Sequence, residues 1–325
     1  MKRGLRALAA CLLLLIATAG IAKQPRRIVV IGDVHGGHAQ LAALLAGAGI
    51  TDASGRWIAR DTTLLQLGDL LDRGAGEREV LDLLMRLQKE ARNGRGEVIV
   101  LLGNHEAMSM LGDLRYATPQ GDASFGGAEA RRLALAPKGK YGRWLRSLPA
   151  IARIGGTVFV HGGVTPEVAA LGVDGIRKRV SGELRRMDAA RAGAVGKQLL
   201  SPEAGLDALL ALQLPEIAGY PGWLIAHQEG PLWFRGFSQW SDAELAERLP
   251  GILKALRAER IVVGHTVQLP ARIRARAGGR VLLADTGLLG PPAYPGGAPL
   301  ALELRGDALT AIRVDGERIT ITPEP

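Results

Sequence analysis

The chain of 325 residues is long enough to bury a sizeable core, as one large domain or two small ones. Its formal net charge of +9 would suit a nucleic-acid partner, but the arginines are dispersed, aromatic residues make up only 4% of the chain, and no nucleic-acid-binding motif is present. We therefore predict no nucleic-acid partner and expect the positive field to favour an anionic substrate such as a phosphoester. A single cysteine, Cys11, excludes an internal disulfide framework.

The N-terminus has the pattern of an export signal. Lys2, Arg3 and Arg6 precede an apolar run from Ala7 to Ala22, which ends in small residues. This run is shorter than the roughly 20 residues that span a bilayer, so a removed peptide is favoured over a retained anchor. We predict a signal peptide at residues 1–22, a periplasmic location, and no stable membrane association after signal removal.

The first predicted strand, Ile28–Ile31, stops at Gly32 and is followed by Asp33 and His35. Residues two apart after a strand project the same way, so both side chains can reach one ion. Apolar residues at helical spacing then predict a helix over His38–Leu45. The first unit is therefore a strand, a ligand loop and a helix.

The second predicted strand, Leu64–Leu67, leads to a turn rich in charged residues. Asp69, Asp72 and Arg73 crowd this turn, and apolar residues on one side predict an amphipathic helix over Glu77–Ala91. Stability alone does not explain two carboxylates and an arginine at a strand end. We interpret Asp69 as a metal ligand, which leaves Asp72 and Arg73 for catalysis and phosphate binding.

Two further apolar runs end in the same way. Val98–Leu102 is followed by Asn104 and His105, and Val158–Val160 is followed by His161. Each adds a metal-type ligand at the end of a predicted strand.

The segments around the fourth strand have weaker patterns. Residues 107–150 consist of short helical pieces broken by glycines, and residues 164–230 are rich in Ala, Leu and Arg, with a basic helical stretch over Ile176–Ala192. We predict that both are cap or specificity insertions within one domain at residues 26–325. An ordinary surface connection explains the pattern of residues 107–150 equally well.

Arg235 lies among large aromatic residues in the segment Pro231–Phe237, in a chain that is otherwise poor in them. Such packing would preorganise the guanidinium for bidentate contact with phosphate. An aromatic core strand with an incidental arginine is the alternative. The fifth apolar run, Ile261–Val263, ends before His265, and Asp285 follows a further strand, where a turn explains it equally well.

The C-terminal segments predict a different kind of sheet. After a Pro/Gly loop at residues 291–299, three runs alternate apolar and polar residues, at residues 300–304, 308–314 and 318–322. This pattern predicts an antiparallel meander, so the sheets should be mixed.

The five strand ends together point to one site. A lone strand that ends in Gly-Asp is usually only a turn, but ligands of α/β proteins gather at the carboxyl ends of strands. Carboxylate, amide and imidazole donors suit Mn, Fe or Zn, and six candidates are too many for one catalytic ion. We expect two ions that polarise a phosphoryl group and activate a bridging water for attack. His105 is then free to protonate the leaving oxygen, with Asp72 holding its tautomer.

The motifs jointly resemble the signature of the calcineurin-like metallophosphoesterases. They are Gly32-Asp33-Val34-His35-Gly36, Gly68-Asp69-Leu70-Leu71-Asp72-Arg73-Gly74, Gly103-Asn104-His105-Glu106, His161-Gly162-Gly163 and Gly264-His265-Thr266. The second and third have the form found in the phosphoprotein phosphatase branch. Trp233-Phe234-Arg235-Gly236 and Ala284-Asp285-Thr286-Gly287 are similar to segments of the bacterial Shewanella-like phosphatases.

The resemblance implies an α/β fold, an αββα sandwich of two mixed sheets flanked by helices, with a dinuclear site at one edge. The implied metal ligands are Asp33 and His35 for one ion, Asp69 as the bridge, and Asn104, His161 and His265 for the other. His105 and Asp72 would form the acid dyad, and the phosphate would contact Arg73, Arg235 and Asn104. The C-terminal tyrosine loop of the eukaryotic enzymes is not visible, and Asp285-Thr286-Gly287 occupies its approximate place.

The predicted function is hydrolysis of phosphomonoesters on proteins, at tyrosine or at serine and threonine, by the metal-bridging hydroxide. A diadenosine tetraphosphate hydrolase is the alternative enzyme, because that family shares the three N-terminal motifs. The export signal argues against it, since dinucleotides are cytosolic. A metal-binding interaction module without catalysis is a third hypothesis, which the presence of every expected ligand and both arginines disfavours.

Overall fold

The structure, a computed structural model, describes residues 26–325. The predicted signal peptide at residues 1–22, with Cys11, lies outside the described residues. Within residues 26–325, no helix combines the length and the apolar character needed to cross a membrane.

The described chain contains eleven strands. In order they are β1 Arg27–Ile31, β2 Thr62–Gln66, β3 Glu97–Val100, β4 Ile151–Ile154, β5 Thr157–Val160, β6 Arg260–Val263, β7 Arg274–Arg276, β8 Val281–Leu283, β9 Ala301–Arg305, β10 Ala308–Ile312 and β11 Arg318–Thr320.

Eleven α-helices and one 3₁₀ helix, Pro215–Ile217, connect these strands in the same part of the chain. The α-helices are α1 His38–Gly47, α2 Glu77–Asn93, α3 Asn104–Leu111, α4 Pro119–Phe125, α5 Ala128–Leu135, α6 Lys140–Leu145, α7 Pro166–Ala169, α8 Gly172–Gly196, α9 Leu206–Ala211, α10 Gly236–Gln239 and α11 Asp242–Leu256.

Both sheets are mixed, as predicted. The first has the strand order β11-β10-β9-β1-β2-β3 and the second β4-β5-β6-β8-β7. Strands β1, β2 and β3 are parallel neighbours, and so are β5, β6 and β8. Strands β9 to β11 pair antiparallel, which confirms the predicted meander. Each sheet therefore turns three parallel carboxyl ends toward one edge.

The two sheets pack face to face between layers of helices. Along β1, Val30 belongs to a core cluster that includes Phe159 and Val262 of the second sheet. Val29 and Ile31 point the other way, into a cluster with the buried residues of α1 and α2. Because side chains alternate along a strand, a strand buried on both faces has a continuous apolar run. The predicted αββα sandwich is confirmed.

The helical predictions also hold for α1 and α2. Val80, Leu84 and Leu87 of α2 are buried on one face, and its first turn carries Glu77 and Glu79, where acidic side chains favour the helix N-terminus. The basic stretch at residues 176–192 lies within α8.

Three local features differ from the sequence analysis. The segment at residues 231–237 forms turns that lead into α10, so the alternative of an aromatic core strand is wrong. Strands β4 and β7 were not predicted. Strand β7 has the sequence Arg-Ala-Arg, which carries no apolar pattern.

Candidate active site

The six predicted metal ligands all follow parallel strands, and the structure brings them to one edge. Strands β1, β2 and β3 of the first sheet and β5 and β6 of the second end there. Parallel strands share a direction, so the residues after them meet at the carboxyl edge. All six side chains are buried: Asp33, His35, Asp69, Asn104, His161 and His265.

Asp69 lies at the centre of this cluster. Its Oδ2 atom is 3.7 Å from Nε2 of His35 and 3.3 Å from Nε2 of His161. Its Oδ1 atom accepts a hydrogen bond from the backbone N–H of His105 at 3.0 Å, which fixes the carboxylate. This is the position that a bridging carboxylate between two ions would take.

Two donor groups flank the central carboxylate. On one side, Nε2 of His35 is 3.9 Å from Oδ2 of Asp33. On the other, Nε2 of His161 is 2.9 Å from Oδ1 of Asn104. A donor atom of His265 lies within 4.8 Å of both His161 and the central carboxylate. These spacings suit donors that each lie about 2.0 to 2.2 Å from a shared ion.

Each of the three predicted histidine ligands uses one ring nitrogen for a backbone carbonyl. Nδ1 of His35 donates to the carbonyl oxygen of Leu71, and Nδ1 of His161 donates to that of Leu67, both at 2.9 Å. Nε2 of His265 donates to the carbonyl oxygen of Trp233 at 3.0 Å. A carbonyl oxygen can only accept, so in the neutral form of each ring the other nitrogen offers a lone pair to a metal ion. Metal-ligating histidines are typically oriented in this way.

The charges of the cluster favour a cation. Burial lowers the pKa of His35 to about 3 and that of His265 to about 2, so both rings are neutral. Burial also opposes charge on His161, but the carboxylates of Asp69 and Asp33 outweigh it and raise its pKa to about 9. The same carboxylates would attract a metal ion to this position.

The donor chemistry fits divalent metal ions. Two groups of three donors, His35 with Asp69 and His105, and Asp69 with His161 and His265, are close enough to hold an ion. The first group contains His105, whereas the sequence analysis assigned Asp33 to this ion. Asp33 accepts the backbone N–H of His265 at 3.0 Å.

His105 and Asp72 form a buried pair beside the ligands. Nδ1 of His105 donates to Oδ2 of Asp72 at 2.7 Å, and Nε2 lies 3.9 Å from Oδ2 of Asp69. Burial alone would lower the pKa of His105, but the carboxylates of Asp69 and Asp72 outweigh it and raise the pKa above its usual value. A histidine whose Nδ1 is held by a carboxylate and whose Nε2 faces the cluster can, when protonated, donate a proton to a leaving group.

The two predicted phosphate-binding arginines lie next to site residues and reach solvent. Nη2 of Arg73 is 3.4 Å from Nε2 of His105. Nη1 of Arg235 donates to the carbonyl oxygen of His265 at 2.8 Å and to Oγ1 of Thr266 at 3.1 Å. A guanidinium that is anchored at one edge keeps its remaining donors for a phosphate oxygen.

A family model described as calcineurin-like phosphoesterase matches residues 26–269. The chain belongs to this family. An uncharacterised protein of Schizosaccharomyces pombe is 34% identical over 273 residues, which are 82% of this chain and 74% of the relative. Shewanella-like protein phosphatase 2 of Arabidopsis thaliana is 26% identical and covers 88% of this chain and 77% of its own.

Comparison with solved structures also finds similarity to a Shewanella phosphatase. A cold-active protein-tyrosine phosphatase of a psychrophilic Shewanella species has a TM-score of 0.67 and 26% identity, over 92% of this chain and 81% of its own. The predicted relation to the Shewanella-like phosphatases is confirmed. This calcineurin-like phosphoesterase is therefore a hydrolase of a family that uses divalent metal ions.

Glu106 holds the ligand turn of the phosphoesterase, a role that the sequence analysis did not assign. Its Oε1 atom accepts the backbone N–H groups of Leu70 and Leu71 at 2.7 and 3.1 Å. Its Oε2 atom accepts those of Asp69 and Gly103 at 2.8 and 3.0 Å. One buried carboxylate thus ties the turn after β2 to the start of α3.

Strained backbone conformations are concentrated in the same place. Five non-glycine site residues have a positive φ: His35 (47°), Asp69 (57°), Asp72 (67°), Arg73 (69°) and His265 (63°). Such conformations cost about 1 to 3 kcal/mol each and persist only where surrounding contacts enforce them. The contacts of Glu106 supply this restraint for the turn after β2.

Gly68 begins this turn, with a φ of +102° and no space for a side chain. A Cβ atom there would lie 2.6 Å from the backbone nitrogen of Gly103. We expect Gly68→Ala to lower the free energy of unfolding by about 1 to 3 kcal/mol more than Gly49→Ala does. Gly49 also has a positive φ, +64°, but nothing lies within 4 Å of its added Cβ. Urea denaturation of both variants measures the difference, and equal losses would contradict the tight packing of the turn.

Two residues outside the predicted set also approach the site. The ring of Tyr294, in the loop at residues 291–299, lies 6.0 Å from that of His35 and 5.7 Å from the guanidinium of Arg73. A C-terminal loop therefore does bring a tyrosine to the site, which corrects the sequence analysis. Asp285 accepts the N–H of Gly287 at 3.0 Å, as in a turn, and burial raises its pKa to about 6.

Proposed function

We propose that this phosphoesterase is a two-metal phosphoprotein phosphatase that acts on phosphomonoesters and prefers phosphotyrosine. The observation that carries the proposal is the hydrogen bond of 2.7 Å between His105 and Asp72, next to two groups of metal-type donors that share Asp69. Phosphoester hydrolysis needs an activated water, charge neutralisation and an acid for the leaving oxygen. The cluster offers residues suited to each task.

The proposed roles of the residues follow from their contacts. Asp33 and His35 would hold one metal ion and Asn104, His161 and His265 the other, with Asp69 shared. When bound, these ions supply Lewis acidity and an activated water for in-line attack.

The other residues would handle the phosphoryl group and the leaving group. Arg73 and Arg235 donate to the phosphoryl oxygens, and Asn104 contributes its amide. His105 donates its Nε2 proton to the leaving oxygen while Asp72 holds its Nδ1.

Aromatic side chains beside the acid support a preference for phosphotyrosine. The ring centroid of Tyr116 lies 5.0 Å from that of His105, and the Arg73 guanidinium lies 5.1 Å from the Tyr116 ring. Tyr116 is therefore close enough to contact an aromatic leaving group that His105 protonates. Aromatic pairs contribute about 0.5 to 1.5 kcal/mol beyond their buried area, which corresponds to as much as about tenfold in rate. The similarity to a protein-tyrosine phosphatase structure supports the same choice.

A groove next to the site supports a peptide substrate. It has a volume of about 260 Å³ and is lined by residues from both predicted insertions, among them Tyr116 and Tyr220, and by Trp233 of the segment 231–237. Trp233 also accepts the hydrogen bond of His265, so the groove adjoins the ligand cluster. We propose that the insertions at residues 107–150 and 164–230 select the sequence around the phosphorylated residue.

Initial rates measured with Mn²⁺ on three substrates test this proposal. The substrates are a phosphotyrosine peptide, a phosphoserine peptide of the same sequence, and diadenosine tetraphosphate. We expect the phosphotyrosine peptide to be hydrolysed up to about tenfold faster than the phosphoserine peptide, from the aromatic contact. A preference for the dinucleotide would overturn the substrate class. Failure to hydrolyse p-nitrophenyl phosphate with any of Mn²⁺, Fe²⁺ or Zn²⁺ would favour a non-catalytic module instead.

We also propose that the enzyme acts after export, with residues 1–22 as its signal peptide. An exported enzyme would not meet cytosolic dinucleotides. Fractionation of cells that express the full chain tests this, and an unprocessed protein in the cytosol would contradict it.

A further inference from the structure

Arg131 is a buried arginine on α5, outside every motif of the sequence analysis. Only 2% of its side chain is exposed. Arginine is almost never fully buried unless it is paired. Its Nη2 atom donates to Oδ1 of Asp72 at 2.9 Å and to Oγ of Ser109 at 3.2 Å, and its Nε atom donates to Oε2 of Glu77 at 2.9 Å. The side chain therefore ends at the acid dyad.

Asp72 has a different partner on each oxygen. Oδ2 accepts from Nδ1 of His105, and Oδ1 accepts from Arg131. A carboxylate held at both oxygens cannot rotate about its last bond. The guanidinium also stabilises its negative charge in a buried place, where an unpaired carboxylate is costly.

Glu77 in turn sets the direction of Arg131. The bond from Nε to Glu77 fixes one edge of the planar guanidinium, and Nη2 then points at Asp72. Oε1 of Glu77 finds no hydrogen-bond partner among the described residues, so the pair with Arg131 is the main polar contact of this side chain. Gly121 of α4 packs against Glu77 and has no room for a Cβ atom.

We infer that Arg131 is a positioning residue for proton donation, which acts on His105 through Asp72. This inference rests on the proposed function, because it assumes that His105 is the general acid. Without Arg131, the Asp72 carboxylate would be held only by His105 and could turn away from it or share its proton. The imidazole would then lose both its orientation and its ion-pair partner. Proton donation should suffer, whereas steps that do not involve His105 should not.

The dependence of the rate on the leaving group tests this role. Nitrophenolate leaves p-nitrophenyl phosphate readily without a proton, whereas the more basic leaving oxygen of phenyl phosphate needs one. We expect Arg131→Met to lower kcat/KM for phenyl phosphate at least tenfold more than for p-nitrophenyl phosphate. Arg131→Lys keeps a positive charge but loses the planar, two-pronged donor geometry of the guanidinium. Its ratio of kcat/KM for the two substrates should lie between those of Arg131→Met and the wild type. The ratio of two substrates does not depend on the folded fraction of a variant.

The neighbouring arginine provides the matched control. Arg132 lies on the same helix and pairs with Glu129 on the exposed side. We expect Arg132→Met to leave the substrate ratio unchanged. In a His105→Ala background, Arg131→Met should no longer change the ratio, because the residue through which it acts is gone.

The outcomes distinguish a failure of the positioning role of Arg131 from a failure of the proposed phosphatase function. Equal losses on both substrates for Arg131→Met, or a further change of the ratio without His105, would overturn the positioning role. If the wild-type protein with bound metal hydrolyses neither aryl phosphate, the proposed function itself fails. The metal content of each variant is measured alongside and should remain at the wild-type level.

Discussion

His105→Ala should lower the turnover of a phosphotyrosine peptide by about 10² to 10⁴-fold, the range expected for loss of a general acid. The reason is the geometry of the dyad, in which Asp72 holds Nδ1 at 2.7 Å and the carboxylates of Asp69 and Asp72 raise the pKa of the ring against the effect of burial. The KM should change little, because His105 acts on the leaving group rather than on binding. Steady-state kinetics measure the turnover and the KM. Atomic absorption on the same preparation measures the metal content, which should stay at the wild-type level.

The metal content of the variant decides whether His105 is the general acid or a metal ligand. His105 also belongs to a group of donors with His35 and Asp69 that could hold an ion. If the variant lost an ion together with its activity, His105 would be a ligand and not the acid. His227→Ala is the control, because His227 is exposed on the surface. It should retain both the activity and the metal.

The convergence of the ligands could be predicted because it follows from strand direction. Asp33 and His161 are far apart in the chain, yet Oδ1 of one lies 3.9 Å from Nδ1 of the other. Each follows a short apolar run, and such runs are typical of parallel strands buried on both faces. Carboxyl ends of neighbouring parallel strands meet, so the type of site is readable from the chain.

The supporting residues could not be predicted in the same way. Arg131 and Arg132 are adjacent in a helix of eight residues, yet one is buried against the dyad and the other faces solvent. Of the two leucines in this helix, Leu135 is buried and Leu133 is exposed, so the leucines do not mark the inward face and tertiary packing decides which arginine points inward. Tyr294 lies in a Pro/Gly loop whose path depends on long-range contacts. Glu106 was visible as part of a motif, but its four backbone partners become apparent only once the turn is folded.

Asp69→Asn should remove both metal ions and lower turnover by about 10³-fold or more, because the Lewis-acid chemistry is lost with them. Asp69 is the one residue shared by the two donor groups. Burial opposes its charge, but His161 and His105 outweigh it and keep its pKa well below the usual range. It is therefore ionised and lies between the two donor groups. The amide of asparagine keeps one oxygen but not the charge, so each ion loses its strongest shared attraction.

Thermal unfolding gives a second readout that does not depend on catalysis. Mn²⁺ at about 100 times its dissociation constant should stabilise the wild-type protein by roughly 2.7 kcal/mol for one site, and more for two. Asp69→Asn should show little of this stabilisation. Without metal at neutral pH, the variant should be less stable than the wild type, because His161 and His105 hold the pKa of the Asp69 carboxyl below its usual range in the folded protein, and Asn loses the stability that this provides. Asp61→Asn, at an exposed position, should respond to Mn²⁺ like the wild type. A variant that kept one tightly bound ion would show that Asp69 serves a single ion, and the shared-carboxylate arrangement would have to be abandoned.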